Sequence, residues 1–190
     1  MGLLSRLFGV KRSQCESCGE RTATATVSTL GPALRVCGSC LPEARVVFGN
    51  PLTAYKFGEL VDTARASSRQ VFAVPWGSSQ QVVVEALATT PKARFLPSQS
   101  HALQSCNISL AGCEAKVTFA FDQNGLHDVT VSPLKAVFDA LAPLRQRFGE
   151  PKMTYPVLGS SNTIWTVDGL KVDLECTRFG TVCVSFSVRL

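Results

Sequence analysis

Four cysteines constrain this chain more than any other feature. Cys15, Cys18, Cys37 and Cys40 follow the pattern C-x2-C-x18-C-x2-C. Two residues between cysteines let a tight turn aim both sulfurs at one ion, and two such turns facing each other complete a tetrahedron. Gly19 and Gly38 stand where such turns need a permissive backbone. A redox dithiol would expect a thioredoxin-like βαβ setting, and the residues around these pairs do not supply one. The spacing predicts one Zn²⁺ held by the four thiolates.

The segment between the pairs fits that reading. "TATATVSTL" alternates small apolar and hydroxyl residues like a strand, Gly31-Pro32 turns the chain, and "ALRV" returns it. The second pair runs into "LPEARVVF", where Pro42 suits a first helical turn. Knuckle, hairpin, knuckle and short helix are the order of a treble-clef zinc finger. A module of this size builds too little core to fold without its metal. Cys15, Cys18, Gly19, Gly31-Pro32, Val36-Cys37 and Cys40 resemble the zinc-binding domain at the N-terminus of the ClpX unfoldase, over residues 13–48. The resemblance implies a treble clef that dimerises and binds adaptors or substrates. The chain departs from that family after the module: no Walker A motif and no ATPase domain follow.

The rest of the chain reads as a second unit. Residues 1–50 make the zinc module with a short N-terminal helix, 51–70 a linker or helix, and 71–190 an α+β domain of antiparallel hairpins with two helices. The first helix is expected from Ser79 to Ala88, after a turn at Pro75-Trp76-Gly77, and residues 89–104 read as loop. In "AKVTFAFDQNGLHDVTVS", a three-residue loop Gln123-Asn124-Gly125 pairs Phe119 with Val129 and Val117 with Val131, so the apolar sets share a face. Asp168-Gly169 makes a two-residue turn pairing Trp165 with Val172, and Arg178-Phe179-Gly180 a three-residue loop pairing Cys176 with Val182. Between the hairpins, Val137, Leu141, Leu144 and Phe148 form a helical stripe that Pro143 should kink and Gly149 should stop. The halves 74–132 and 133–190 read as two α-β-β-β copies. "PWGSS", "FDQNGL" and "RFGEP" resemble small bacterial domains of unassigned function, a likeness that implies no activity.

Charge argues against a phosphate partner. The chain carries +5, of which residues 1–50 hold six basic and three acidic side chains, or +3. A tetrathiolate zinc site adds about −2, and what remains neutralises few phosphates. The inter-knuckle segment has an Arg at each end and no aromatic for stacking. Leu30, Ala33 and Leu34, with the stripe Leu3, Leu4, Leu7 and Phe8, instead suggest a protein partner or self-association. No stretch reaches the roughly 18 apolar residues that span a membrane, so a reducing cytoplasm is the expected compartment.

No catalytic constellation is legible. His101 and His127 lack spaced partners, and Glu114, Asp122, Asp128, Asp168, Asp173 and Glu175 fall in turns or on solvent faces. Cys106, Cys113, Cys176 and Cys183 read as core thiols; the register puts Cys183 on the face opposite Cys176. The expectation is a zinc-binding, non-catalytic interaction or adaptor-like factor, with a nucleic-acid-associated zinc finger as the alternative.

Overall fold

The computed structural model describes residues 14–30, 32–88, 93–96, 102–157 and 160–188; the expected N-terminal helix, its apolar stripe and His101 lie outside them. A hairpin of β1 (Ala25–Val27) and β2 (Leu34–Val36) leads into helix α1 (Leu41–Phe48), followed by α2 (Ala54–Thr63). A second small hairpin, β3 (Gln70–Val71) and β4 (Val74–Pro75), precedes α3 (Gln80–Ala88). Then come β5 (Arg94–Phe95), β6 (Leu103–Leu110), β7 (Cys113–Asp122) and β8 (Gly125–Pro133). Helix α4 (Leu141–Phe148) leads to β9 (Met153–Val157), β10 (Ser160–Val167), β11 (Leu170–Thr177) and β12 (Val182–Val188). No helix among the described residues is long and apolar enough to cross a membrane.

The last eight strands form one antiparallel sheet in the order β5-β6-β7-β8-β12-β11-β10-β9. Two four-stranded meanders thus meet where β8 pairs with β12, Val131 opposite Val184 and Val129 opposite Phe186. Alternation decides the faces. Cys106, Ile108, Val117, Phe119, Val131, Val172 and Val184 are buried, and Phe57, Leu60 and Val61 of α2, Val83 and Leu87 of α3 and Leu144 of α4 share one core with them. Three helices therefore cover one face of the sheet. The segment 51–70, a linker or helix by sequence, delivers three of the most buried side chains of this core. Thr53 caps α2, its hydroxyl accepting from the Lys56 amide at 3.3 Å.

The long-range registers come out as the side-chain alternation requires. Phe119 faces Val129, Val117 faces Val131, Trp165 faces Val172 and Cys176 faces Val182. The turn at 123–125 differs. Asp122 pairs directly with Gly125, leaving a two-residue loop, and the extra residue sits in a bulge where the register shifts at Ala120 and Phe121. Gly125 has φ +95, and a Cβ there would lie 2.1 Å from the Gly77 carbonyl oxygen. The chain of residues 77 and 78 crosses against the turn, so close backbone approach as well as φ demands glycine.

Three further elements depart from the expectation. Residue 103 begins β6 rather than lying in a loop, and β9, with Pro156 inside it, is an additional edge strand. The expected stripe from Val137 is helical only from Leu141: Asp139 takes φ +53 and its carboxylate accepts from the Ala142 amide at 3.2 Å. Pro143 consequently falls in the first turn, where no intrahelical bond is lost, and kinks nothing. Each of α3 and α4 is followed by four strands rather than three.

Candidate metal centre

Local backbone chemistry brings the four sulfurs together. In the first knuckle the Cys15 amide donates to the Arg21 carbonyl at 2.7 Å and the Gly19 amide to the Cys15 carbonyl at 2.8 Å. Gly19 takes φ +71, whereas Gly38 stays out of the left-handed region. In the second knuckle the amides of Cys40 and Leu41 both donate to the Cys37 carbonyl at 3.1 Å, and α1 starts there, with Pro42 in its first turn. Glu16 joins the two. Its amide donates to the Arg35 carbonyl at 2.8 Å, and its Oε2 accepts from the Arg35 amide at 2.7 Å. The knuckles are thereby clamped through β2, while Ala25 pairs with Val36 beneath them.

The result is a convergent tetrathiolate. The Sγ atoms of Cys15, Cys18, Cys37 and Cys40 all lie within 4.8 Å of one another. A tetrahedron with metal–sulfur bonds of about 2.3 Å places sulfurs about 3.8 Å apart, so the four sulfurs are gathered close enough for a small inward adjustment to seat one metal ion. Cys15 and Cys37 are buried, Cys40 is half-buried and Cys18 is exposed, which leaves one side open for an ion to enter. The electrostatics agree. The Cys18 amide holds the Cys15 thiol down at about 6 against the push of burial, and the Cys40 amide lowers Cys37. Cys40 is drawn downward by the Ser17 hydroxyl, but the Cys37 sulfur, burial and the other two sulfurs together push it up to about 12. Four thiolates at this separation repel, and a dication is what lets all four ionise.

The other candidate residues stand apart from this centre. Cys106 is fully buried, and burial lifts its thiol to about 11. Cys113 lies in the same core, opposite Leu110. Cys176 and Cys183 lie on opposite faces of their sheet; burial pushes each to about 11, with Glu175 adding to both. His127 Nδ1 stands 3.9 Å from Asp122 Oδ2, beyond hydrogen-bond reach. Glu114, Asp122, Asp168 and Glu175 are exposed, while Asp128 and Asp173 are half-buried. Of the two tryptophans, Trp165 is core, its indole donating to the Gly149 carbonyl at 2.9 Å, and Trp76 is half-buried, bonded to the Ser67 carbonyl at 2.8 Å.

The centre is also fastened to the large sheet, a connection the sequence reading missed. Phe179, in the β11–β12 loop, packs against the module's core of Cys15, Val27, Leu34, Val36, Cys37 and Ala44. Its ring meets Phe48 edge-on at 6.5 Å, and Arg178 reaches Glu16 at 3.6 Å. Leu34, expected on the surface, is 5% exposed because it belongs to that core, whereas Leu30 is exposed as expected, at 42%, with its side chain beside Gly180. Backbone bonds complete the joint. Ala136 donates to Val47, Leu52 to Ala136 and Phe138 to Leu52, each at 2.8 Å.

No family model matches the chain, and none of the curated proteins is similar to it. Among solved structures it is similar to a DUF4309 family protein (YjgB) from Bacillus subtilis, with TM-score 0.45 and 10% identity over 72% of this chain and 98% of that one. It is also similar to a cysteine-rich secretory protein from Staphylococcus aureus, with TM-score 0.31 and 10% identity over 74% of this chain and 50% of that one. At these scores neither likeness assigns a fold or an activity. What stands is a mixed chain of helices and antiparallel strands with a tetracysteine cluster near its N-terminus.

Proposed function

We propose that this protein is a zinc-binding, non-catalytic interaction factor of adaptor type, working in a reducing cytoplasm. Zn²⁺ sits on Cys15, Cys18, Cys37 and Cys40 in a treble-clef module like that of the ClpX unfoldase, and the two meanders descend from one repeated helix-and-strand unit. The observation that carries the reading is the convergence of four sulfurs within 4.8 Å of one another on two clamped knuckles. Thiolate donors select zinc over hard cations, and four protein ligands close the coordination sphere, the mark of a structural site. The placement of the carboxylates, on exposed or half-buried sheet positions, supports a surface for contact more than a reaction centre.

Protein contact is favoured over nucleic acid by the small positive charge left on the module once four thiolates are counted, since residues 1–50 carry six basic against three acidic side chains. The test is affinity purification of tagged full-length protein from its native cells, beside Cys37→Ser. A stoichiometric protein partner retained by the wild type and lost from the variant is the expected result. Tight, salt-sensitive binding of the purified protein to DNA or RNA would overturn the assignment in favour of a nucleic-acid-associated zinc finger.

A further inference from the structure

Helices cover one face of the eight-stranded sheet, and among the described residues nothing covers the other. That second face is built in rows. Ile164, Asp173, Ser185, Thr130, Thr118 and Ser105 stand in register from β10 to β6. Its hydroxyls bond one another, Ser105 to Thr118 at 3.0 Å and Thr130 to Ser185 at 2.8 Å. Charge on it is segregated. Although the chain carries +5, the charged side chains of this face on β8, β12, β11 and β10 are Asp128, Asp173 and Glu175 against Lys171, with His127 the extra residue of the bulge, while β7 and β5 carry Glu114 against Lys116 and Arg94.

The acceptors here exceed the donors. Lys171 takes Asp173 Oδ2 at 3.2 Å, and the Thr130 hydroxyl donates to Asp128 Oδ1 at 3.2 Å. Asp173 Oδ1, Asn162 Oδ1 and His127 Nδ1 are buried with no hydrogen-bond partner among the described residues, although the Asp173 side chain is 23% exposed and that of His127 35%. A buried acceptor left unpaired costs about 1–3 kcal/mol, and a turn of the partly exposed Asp173 carboxylate would bring it to an outside donor. Burial also holds the Asp128 carboxyl above its ordinary range, with Thr130, His127 and Lys171 pulling it back, so a further cation would be welcome there. The carboxylates do not converge on a point. Asp173 and Glu175 alternate along β11 about 7 Å apart, and β8 lies two strands and about 10 Å away. The cysteine cluster, by contrast, is where ligand atoms converge tightly enough for one ion among the described residues.

We infer that the open face of the sheet docks an extended, basic segment of a protein partner, with Lys or Arg side chains meeting Asp173, Glu175 and Asp128. Alternate side chains of an extended chain repeat about every 7 Å, the spacing of Asp173 and Glu175, and each brings N–H donors to carboxylates that Lys171, Thr130 and the Cys183 thiol satisfy only in part. The inference rests on the interaction-factor reading and places a docking site on the sheet, away from the metal module.

The probe is a fluorescein-labelled twelve-residue peptide of alternating Arg and Ser, titrated by anisotropy into the full-length metal-loaded protein, with a Glu-Ser peptide as control. The Arg-Ser peptide should bind, more weakly as salt rises, and the Glu-Ser peptide should not. D128N/D173N/E175Q should weaken binding at least tenfold. E43Q/E85Q/D168N, which removes the same charge at exposed positions elsewhere, should leave it within about twofold. If the first triple variant does not fold, carbodiimide coupling of a Lys-Ser peptide to the wild type, mapped by mass spectrometry, decides: adducts on Asp128, Asp173 or Glu175 support the inference. Adducts confined to other sites, equal weakening in both triples, or no binding at low salt would overturn it. Spermidine displacing the peptide at the same concentration as free peptide would also overturn it, in favour of a small polyamine. Failure of the peptide with a partner still co-purifying removes this docking site alone; absence of any partner removes the adaptor reading itself.

Discussion

Phe179 is the residue whose loss should separate the metal module from the sheet. Its ring is partly buried in the module's core and meets Phe48 edge-on at 6.5 Å. Replacing a fully buried Phe by Ala costs about 3–5 kcal/mol, and partial exposure brings that to about 2 kcal/mol. The lost ring pair adds about 1 kcal/mol. The pair of Arg178 with Glu16 is well exposed, 56% and 33%, and contributes well under 1 kcal/mol. Phe179→Ala should therefore weaken docking by about 3 kcal/mol, roughly a hundredfold in the ratio of docked to open forms. Native-state hydrogen exchange reads this directly, because the Ala136 amide donates across the joint to Val47 at 2.8 Å. In Phe179→Ala its protection should fall by up to about a hundredfold, while amides of Val131 and Val184 at the sheet centre keep theirs. Phe179→Leu should retain most of the protection. An Ala136 amide as protected in Phe179→Ala as in the wild type would refute the reasoning.

Other outcomes follow from the same packing. A fragment of residues 51–190 should unfold cooperatively, whereas 71–190 should not: the shorter piece lacks Phe57, Leu60 and Val61, each at most 1% exposed. At about 1.5–3 kcal/mol each, they amount to roughly 5–9 kcal/mol, as much as a domain's whole stability. A cooperative melt of 71–190 near the temperature of 51–190 would contradict this. Asp128→Asn should stabilise the fold at pH 7. Burial raises the folded-state pKa of Asp128 above 3.8, so the folded form carries a penalty when the carboxylate is ionised. That penalty fades as pH falls through the raised value, and the variant's advantage in thermal melts should shrink with it. An advantage that grew towards acid pH would show the sign to be wrong.

How much was legible in the sequence depended on range. The knuckles were readable because ligand spacing and turn chemistry are local, and Cys15, Cys18, Cys37 and Cys40 do converge. The β10–β11 and β11–β12 registers were readable because Asp168-Gly169 and Arg178-Phe179-Gly180 specify their turns and the alternation permits one pairing. The loop at 123–125 was half readable. Alternation required Phe119 opposite Val129, but nothing local distinguishes an extra residue in the loop from one in a bulge. Strand β6 was hidden by the polar run before it, although Gln104, Cys106, Ile108 and Leu110 alternate inward once the strand is known. Contacts between distant segments left no trace. Phe48 and Phe179 meet only when the whole sheet forms, and the acidic stripe of Asp128, Asp173 and Glu175 exists only because β8 pairs with β12.

The central claim is a metal held by four thiolates, and its most direct test is metal content with cysteine reactivity in the native protein. Elemental analysis together with native mass spectrometry should find one zinc per chain in the wild type and none in Cys37→Ser. Alkylation of the folded wild type should spare Cys15, Cys18, Cys37 and Cys40 until a chelator is added. Purified folded protein with no stoichiometric metal and all four of these cysteines freely alkylated would contradict the account.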